Sequence, residues 1–147
     1  MKHSEGFTLL EMIIVVFLIS LILGISAAVF SNSLPSQRVD ATAREIMATF
    51  RQARSNAVTS GRWQTIDIEI DARSYSIEGG GPPRTIPEDV SLKVIDPLYG
   101  EVARGGYRFV FAPSGVAEGG TIVLSAGKKV VILEIDPIVG AIISRQK

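Results

Sequence analysis

The 147-residue chain contains no cysteine, which excludes a disulfide framework, a thiolate metal site and a cysteine nucleophile. It has no excess charge of either sign, since 15 Lys and Arg balance 15 Asp and Glu. The basic footprint of a nucleic-acid binder is therefore missing, and nucleic acid is not an expected partner. Histidine is confined to His3, so a histidine base or a histidine-ligated metal has only that one residue to draw on. What the chain has is apolar mass. Its hydrophobic share of 46% is too high for a disordered chain. A mean hydropathy of +0.30 in a chain with 20% charged residues implies that the apolar residues are concentrated in one place. The length suits one domain plus an appendage.

That place is the start. Residues 7–30 carry a single charge, Glu11, and residues 12–30 carry none. As a helix the 24 positions of this run would reach roughly 36 Å, against about 30 Å for the hydrocarbon core of a bilayer. A domain of this size has little room to bury a helix that is apolar all round, so a membrane span is the better reading. A removable secretory signal fits poorly. The apolar run is too long for a signal core, it contains no A-x-A site, and the small residues 26–28 are followed by more apolar ones. Lys2 lies before the span, so the positive-inside rule places the N-terminus in the cytoplasm. Glu11 is the residue that a plain anchor does not explain. A carboxylate inside an apolar span costs about 2.5–3.5 kcal/mol near its centre, and less near the interface to which the side chain can snorkel.

Gly6, Phe7, Thr8, Leu9, Leu10 and Glu11, placed between a short charged leader and a long apolar run, resemble the processing and methylation motif of type IV pilins and of the pseudopilins of type II secretion. The resemblance implies that a prepilin peptidase cuts between Gly6 and Phe7 and methylates the new amino terminus on Phe7. It also implies that Glu11 is an assembly contact. Pairing the Phe7 amino group with Glu11 of a neighbouring subunit would offset part of the desolvation cost of both charges and fix the register of one helix on the next.

Beyond the span the residues describe a head. Pro35 follows the polar patch at residues 31–33 and predicts a kink or a restart, because proline has no amide to continue the ladder. Val39, Ala43, Ile46, Met47, Phe50, Ala53, Ala57 and Val58 then recur at helical spacing. Gln37, Arg38, Asp40, Arg44, Glu45, Arg51, Gln52 and Ser55 lie opposite them, and Gly61 is the stop. The arginines of that outer face read as a solvated surface, because acidic residues interrupt them. After Gly61 the period changes to two. Ile66, Ile68 and Ile70 alternate with Asp67 and Glu69, and Tyr75 with Ile77 and Val90 with Leu92 and Val94 continue the pattern. Further strands are predicted over 107–111, 121–125, 130–135 and 141–144, separated by turns that include Asp96-Pro97, residues 113–115 and 126–129, and Asp136-Pro137. About seven short strands with close turns indicate an antiparallel meander or sandwich on which the amphipathic helix packs. The fold class is α+β.

This order of helix, meander, residues 111–115 (FAPSG), hairpin and last strand after Gly140 resembles the head of the pseudopilin H and FimT group, which has a long N-terminal helix packed on a β-sandwich. The chain lacks the aspartate-rich C-terminal loop that binds calcium in major pseudopilins, which favours a minor subunit. The expected divisions are residues 1–6 as prepilin leader, 7–30 as transmembrane and assembly helix, 31–61 as its amphipathic continuation and 62–147 as a β-rich periplasmic head. The expected function is a minor pseudopilin of a type II secretion system. The alternative is a minor type IV pilin of the FimT or FimU kind in pilus initiation or DNA uptake, toward which the basic Arg145 and Lys147 are weak pointers. Partners implied by the resemblance are other pseudopilins or pilins, the prepilin peptidase, the inner-membrane assembly platform, lipid and secreted cargo. No cofactor is implied.

Enzymatic readings have little to stand on. Residues 125–128 (SAGK) match S-x-x-K by letter but fall in a predicted hairpin turn, where the helical placement of that motif is missing. The glycine pairs 105–106 and 119–120 lack the context of a phosphate loop. Asp67, Glu69 and Asp71 alternate along a strand face that reads as solvated.

Overall fold

The computed structural model describes residues 8–146, with the side chains of 27–35 left aside. One helix, α1 (Leu9–Ser60), is followed by ten strands: β1 (Gln64–Glu69), β2 (Ser74–Ile77), β3 (Arg84–Thr85), β4 (Ser91–Asp96), β5 (Gly100–Val102), β6 (Gly106–Phe111), β7 (Ala117–Glu118), β8 (Thr121–Ala126), β9 (Lys129–Ile135) and β10 (Ile142–Gln146). The chain divides into two compact units, Met1–Leu34 and Pro35–Lys147.

In the first unit every described side chain from Thr8 to Ser26 is exposed, and the segment Leu9–Ser26 is long and apolar enough to cross a membrane. A helix that is apolar and exposed all round, as Leu9–Ser26 is, suits an apolar solvent. The Ser20 and Ser26 hydroxyls donate to the Val16 and Ile22 carbonyls at 2.8 and 2.9 Å, so neither is left unmet among apolar neighbours. The restart expected at Pro35 does not occur: α1 is assigned as one helix of 52 residues through it. Proline removes one rung of the ladder, and a helix with many turns on either side can continue past that loss.

In the second unit the stripe of α1 is the predicted one. Val39, Ala43, Ile46, Phe50, Ala53 and Ala57 are each at most 4% exposed. Val58 is a correction to the stripe, because it is 49% exposed. One residue turns a helix by about 100°, so Ala57 and Val58 cannot both face the core. The stripe also holds two unpredicted polar residues, Thr42 and Thr49, which are buried. Thr49 Oγ1 donates to the Glu45 carbonyl at 3.0 Å and so stays satisfied. Gly61 ends the helix with φ of 65°, a left-handed stop that a side chain would strain.

The strands form two five-stranded antiparallel sheets, ordered β3-β2-β1-β6-β7 and β10-β9-β8-β4-β5. Alternation supplies each sheet with one apolar face: Ile66, Ile68, Phe109 and Phe111 in the first, and Val94, Ile122, Leu124, Val131 and Leu133 in the second. All of them join the helix stripe in a single core. Phe50 packs edge-on against Phe109 and Phe111, with ring centroids 4.9 and 5.9 Å apart. All seven predicted strands are present. The three unpredicted ones, β3, β5 and β7, each lie at a sheet edge.

Candidate functional site

Gly6 and Phe7, where the cut and the methylation are expected, lie outside the described residues. The motif residues Thr8, Leu9, Leu10 and Glu11 open α1. Thr8 is its cap: Thr8 Oγ1 accepts the Glu11 amide at 3.3 Å, and the Thr8 carbonyl accepts the amides of Glu11 and Met12 at 3.1 and 3.3 Å. Thr8-x-x-Glu11 has the spacing of a capping box, a signal present in the sequence and missed in reading it. Glu11 thus occupies the third helical position, where the helix dipole favours a negative charge. A carboxylate near the positive end of an apolar helix needs no partner within its own chain to be tolerated. Among the described residues its side chain is exposed.

The head holds α1 at both ends of the packed stretch. Asp40, expected on the solvated face, is instead half-buried and accepts a hydrogen bond from Lys129 Nζ at 2.5 Å in an ion pair between side chains about a quarter exposed. The reason lies in the sheet: Lys129 opens β9, in the turn that follows β8, and reaches the helix there. Toward the other end, Arg54 Nε donates to the Val139 carbonyl at 2.9 Å. Arg38 pairs with Asp89 at 3.1 Å.

The residues weighed for catalysis are engaged otherwise. Residues 125–128 close the β8–β9 hairpin, not a helix. Asp67 and Arg108 face each other across β1 and β6 as an ion pair of 2.7 Å, which pushes the guanidinium pKa upward. Asp71 accepts the Gly105 amide at 2.9 Å. A cavity of about 300 Å³ includes Asp71, Arg73 and Arg104 in its wall, but the Arg73 guanidinium donates to the carbonyls of Pro87 and Val90 and so ties two loops together. Arg145 pairs with Glu134 at 3.5 Å on the surface.

Asp96, read from the sequence only as part of a turn, accepts more hydrogen bonds than any other carboxylate among the described residues. It accepts the Tyr107 hydroxyl at 2.5 Å and the amides of Leu98 and Tyr99, both at 2.8 Å. These bonds, the tyrosine's first, hold its pKa below the ordinary value, while burial and the Asp96 carboxylate push the Tyr107 hydroxyl well above its own. The sign follows for each group. A depressed carboxylate contributes stability in full above its unfolded pKa of about 3.9 and loses it as pH falls through the lower folded value. A raised hydroxyl contributes in full below about 10 and loses it as pH rises through the folded value. Tyr107→Phe should therefore lower the melting temperature at neutral pH and soften the acid side of its pH profile. Thermal melts of both proteins across the acid range check this, and parallel profiles would show that the bond is not formed.

A membrane-length apolar helix with a prepilin-type opening, running on into a head of two antiparallel sheets, defines a type IV pilin-like protein. The family model described as the prokaryotic N-terminal methylation motif matches residues 1–27, and that of type II transport protein GspH matches residues 42–137. The chain belongs to the GspH family, whose members are pseudopilin structural subunits. No curated protein and no solved structure gives a significant match. The methylation motif and the apolar helix mark a single-pass protein anchored in the inner membrane.

Proposed function

We propose that this chain is a minor pseudopilin of a type II secretion system, a structural subunit at the tip of a filament that crosses the periplasm. The supporting observation is a GspH-type head carried on a helix that opens with a prepilin-type motif and has no core of its own to enter. In this reading residues 1–6 are removed by a prepilin peptidase and Phe7 becomes N-methylated. The subunit waits in the inner membrane with its N-terminus cytoplasmic and its head, residues 62–147, periplasmic. The apolar part of α1 then leaves lipid for the helices of other subunits at the assembly platform, with Glu11 meeting a neighbour's Phe7 amino group. The work done is mechanical, and the residues that carry it are contacts.

The test is deletion of the gene in its host. The expected result is that proteins normally released to the medium accumulate in the periplasm while surface pili remain. Loss of pili with normal secretion would overturn this reading in favour of a minor type IV pilin.

A further inference from the structure

The head carries one short sequence twice. Ile95-Asp96-Pro97-Leu98-Tyr99-Gly100 and Ile135-Asp136-Pro137-Ile138-Val139-Gly140 share Ile-Asp-Pro, two apolar residues and a glycine. The first copy turns β4 into β5 and the second turns β9 into β10. The aspartate caps the turn in the same way in both copies, and Asp96 alone also accepts the Tyr107 hydroxyl. Asp96 Oδ1 accepts the amides of Leu98 and Tyr99 at 2.8 and 2.8 Å, and Asp136 Oδ1 accepts those of Ile138 and Val139 at 2.8 and 3.0 Å. Each closing glycine adopts a left-handed φ, 80° at Gly100 and 64° at Gly140. Proline fixes the first turn residue and the aspartate fixes the next two, so each copy is a stiff knuckle. Each directs its apolar pair outward: Leu98, Tyr99, Ile138 and Val139 are 85, 86, 80 and 53% exposed.

The sheet puts both knuckles at one end. β4 and β9 are each antiparallel to β8, so they run the same way and their following turns leave the sheet on the same side. An open hollow of about 470 Å³ lies between the copies, with Pro97 and Leu98 on one wall and Pro137 on the other; Tyr107, Val110 and Ala117 line it, and Asp96, Arg108 and Glu118 give it a charged margin. The second knuckle is tied down by Arg54 Nε on the Val139 carbonyl at 2.9 Å and by the Ala117 amide on the Pro137 carbonyl at 3.1 Å. This is the end at which α1 terminates. The opposite end is charged, with the Arg38–Asp89 and Lys129–Asp40 pairs and the exposed Lys128.

A turn whose backbone is already fixed loses little further backbone freedom on binding, which favours a docking surface. A hollow between two projections fits a protruding side chain better than it fits a flat lipid surface. A second copy of this chain fits poorly. Head to tail, it would set the apolar end against the charged one. Tip to tip, residues 35–60 of the two α1 helices would run in opposite directions, which subunits repeated along one filament do not. We propose that the paired knuckles are the docking face for the head of a different subunit of the same filament, one that presents an apolar side chain to the hollow between Pro97 and Pro137. The proposal rests on the pseudopilin reading and adds which face is used and what chemistry it accepts.

The experiment uses the full chain in its host membranes, with a photoreactive phenylalanine analogue in place of Leu98, of Ile138 or, as a control, of Lys128. The first two should each give an adduct with one other protein that itself begins with a prepilin-type motif, identified by mass spectrometry, and the control should not. The double variant Leu98→Asp with Ile138→Asp should lower secretion by about tenfold or more without changing the melting temperature, since both side chains are exposed. Adducts with a second copy of this chain or with lipid, equal labelling from the control, or no adduct would overturn the proposal. So would normal secretion by the double variant in a host whose secretion fails on deletion of the gene. If deletion itself leaves secretion intact, the pseudopilin reading fails first.

Discussion

Replacing Phe50 with Ala should destabilise the head by about 3–5 kcal/mol, the cost of emptying a large aromatic site in a closed core. Phe50 is 1% exposed and stands between Phe109 and Phe111, so its removal opens a hole lined by two rings in edge-on contact with it. Neighbours cannot easily collapse into it, because one wall is a helix and the other a hydrogen-bonded strand. A domain of ordinary stability has about 5–15 kcal/mol in hand, so the variant should lose a large part of its cooperative transition. Phe50→Leu refills most of the volume and should cost much less. Urea unfolding of the detergent-solubilised chain, followed by far-ultraviolet circular dichroism, reads both. A loss below about 1 kcal/mol for Phe50→Ala would mean that α1 does not anchor the sheets through this residue.

Glu11→Val should leave insertion and folding intact and remove the subunit from filaments. The substitution deletes the one charge in the apolar run and so makes membrane insertion more favourable, by up to about 3 kcal/mol if the carboxylate sits deep and less near the interface. Any loss of function therefore cannot come from failed insertion. Thr8 remains to cap α1, and the head is untouched. In the proposed assembly what disappears is the anion for a neighbour's amino terminus, so a subunit entering the bundle would bury that cation unpaired. Membrane fractionation should show normal amounts of the variant, while sheared or cross-linked filaments should lack it. Unchanged incorporation and secretion would mean that Glu11 serves only the first turn of its own helix.

The elements long enough to show a period could be read directly. The α1 stripe from Val39 to Ala57 and the strands at Ile66–Ile68, Leu92–Val94 and Ile122–Leu124 alternate in step with the face they bury. β3, β5 and β7 could not be read, because two or three residues carry no period and an edge strand is made by its neighbour. Asp40 and Lys129 are 89 positions apart, so nothing local in either marks it as half of a pair. The knuckles were legible as turns, at Asp96-Pro97 and Asp136-Pro137. That they share an end depends on the order of β4, β8 and β9, which no local pattern contains. The membrane helix and its motif lie at the opposite extreme: composition and spacing alone define them, and tertiary structure adds only the cap at Thr8.

The central claim is that this chain is processed and assembled as a prepilin, and the mass of its N-terminal peptide, taken from protein made in its own host, tests it most directly. The account predicts a chain that begins at Phe7, lacks residues 1–6 and carries one added methyl group on its amino terminus. A chain that keeps Met1, in a host whose other prepilins are cut, would contradict it.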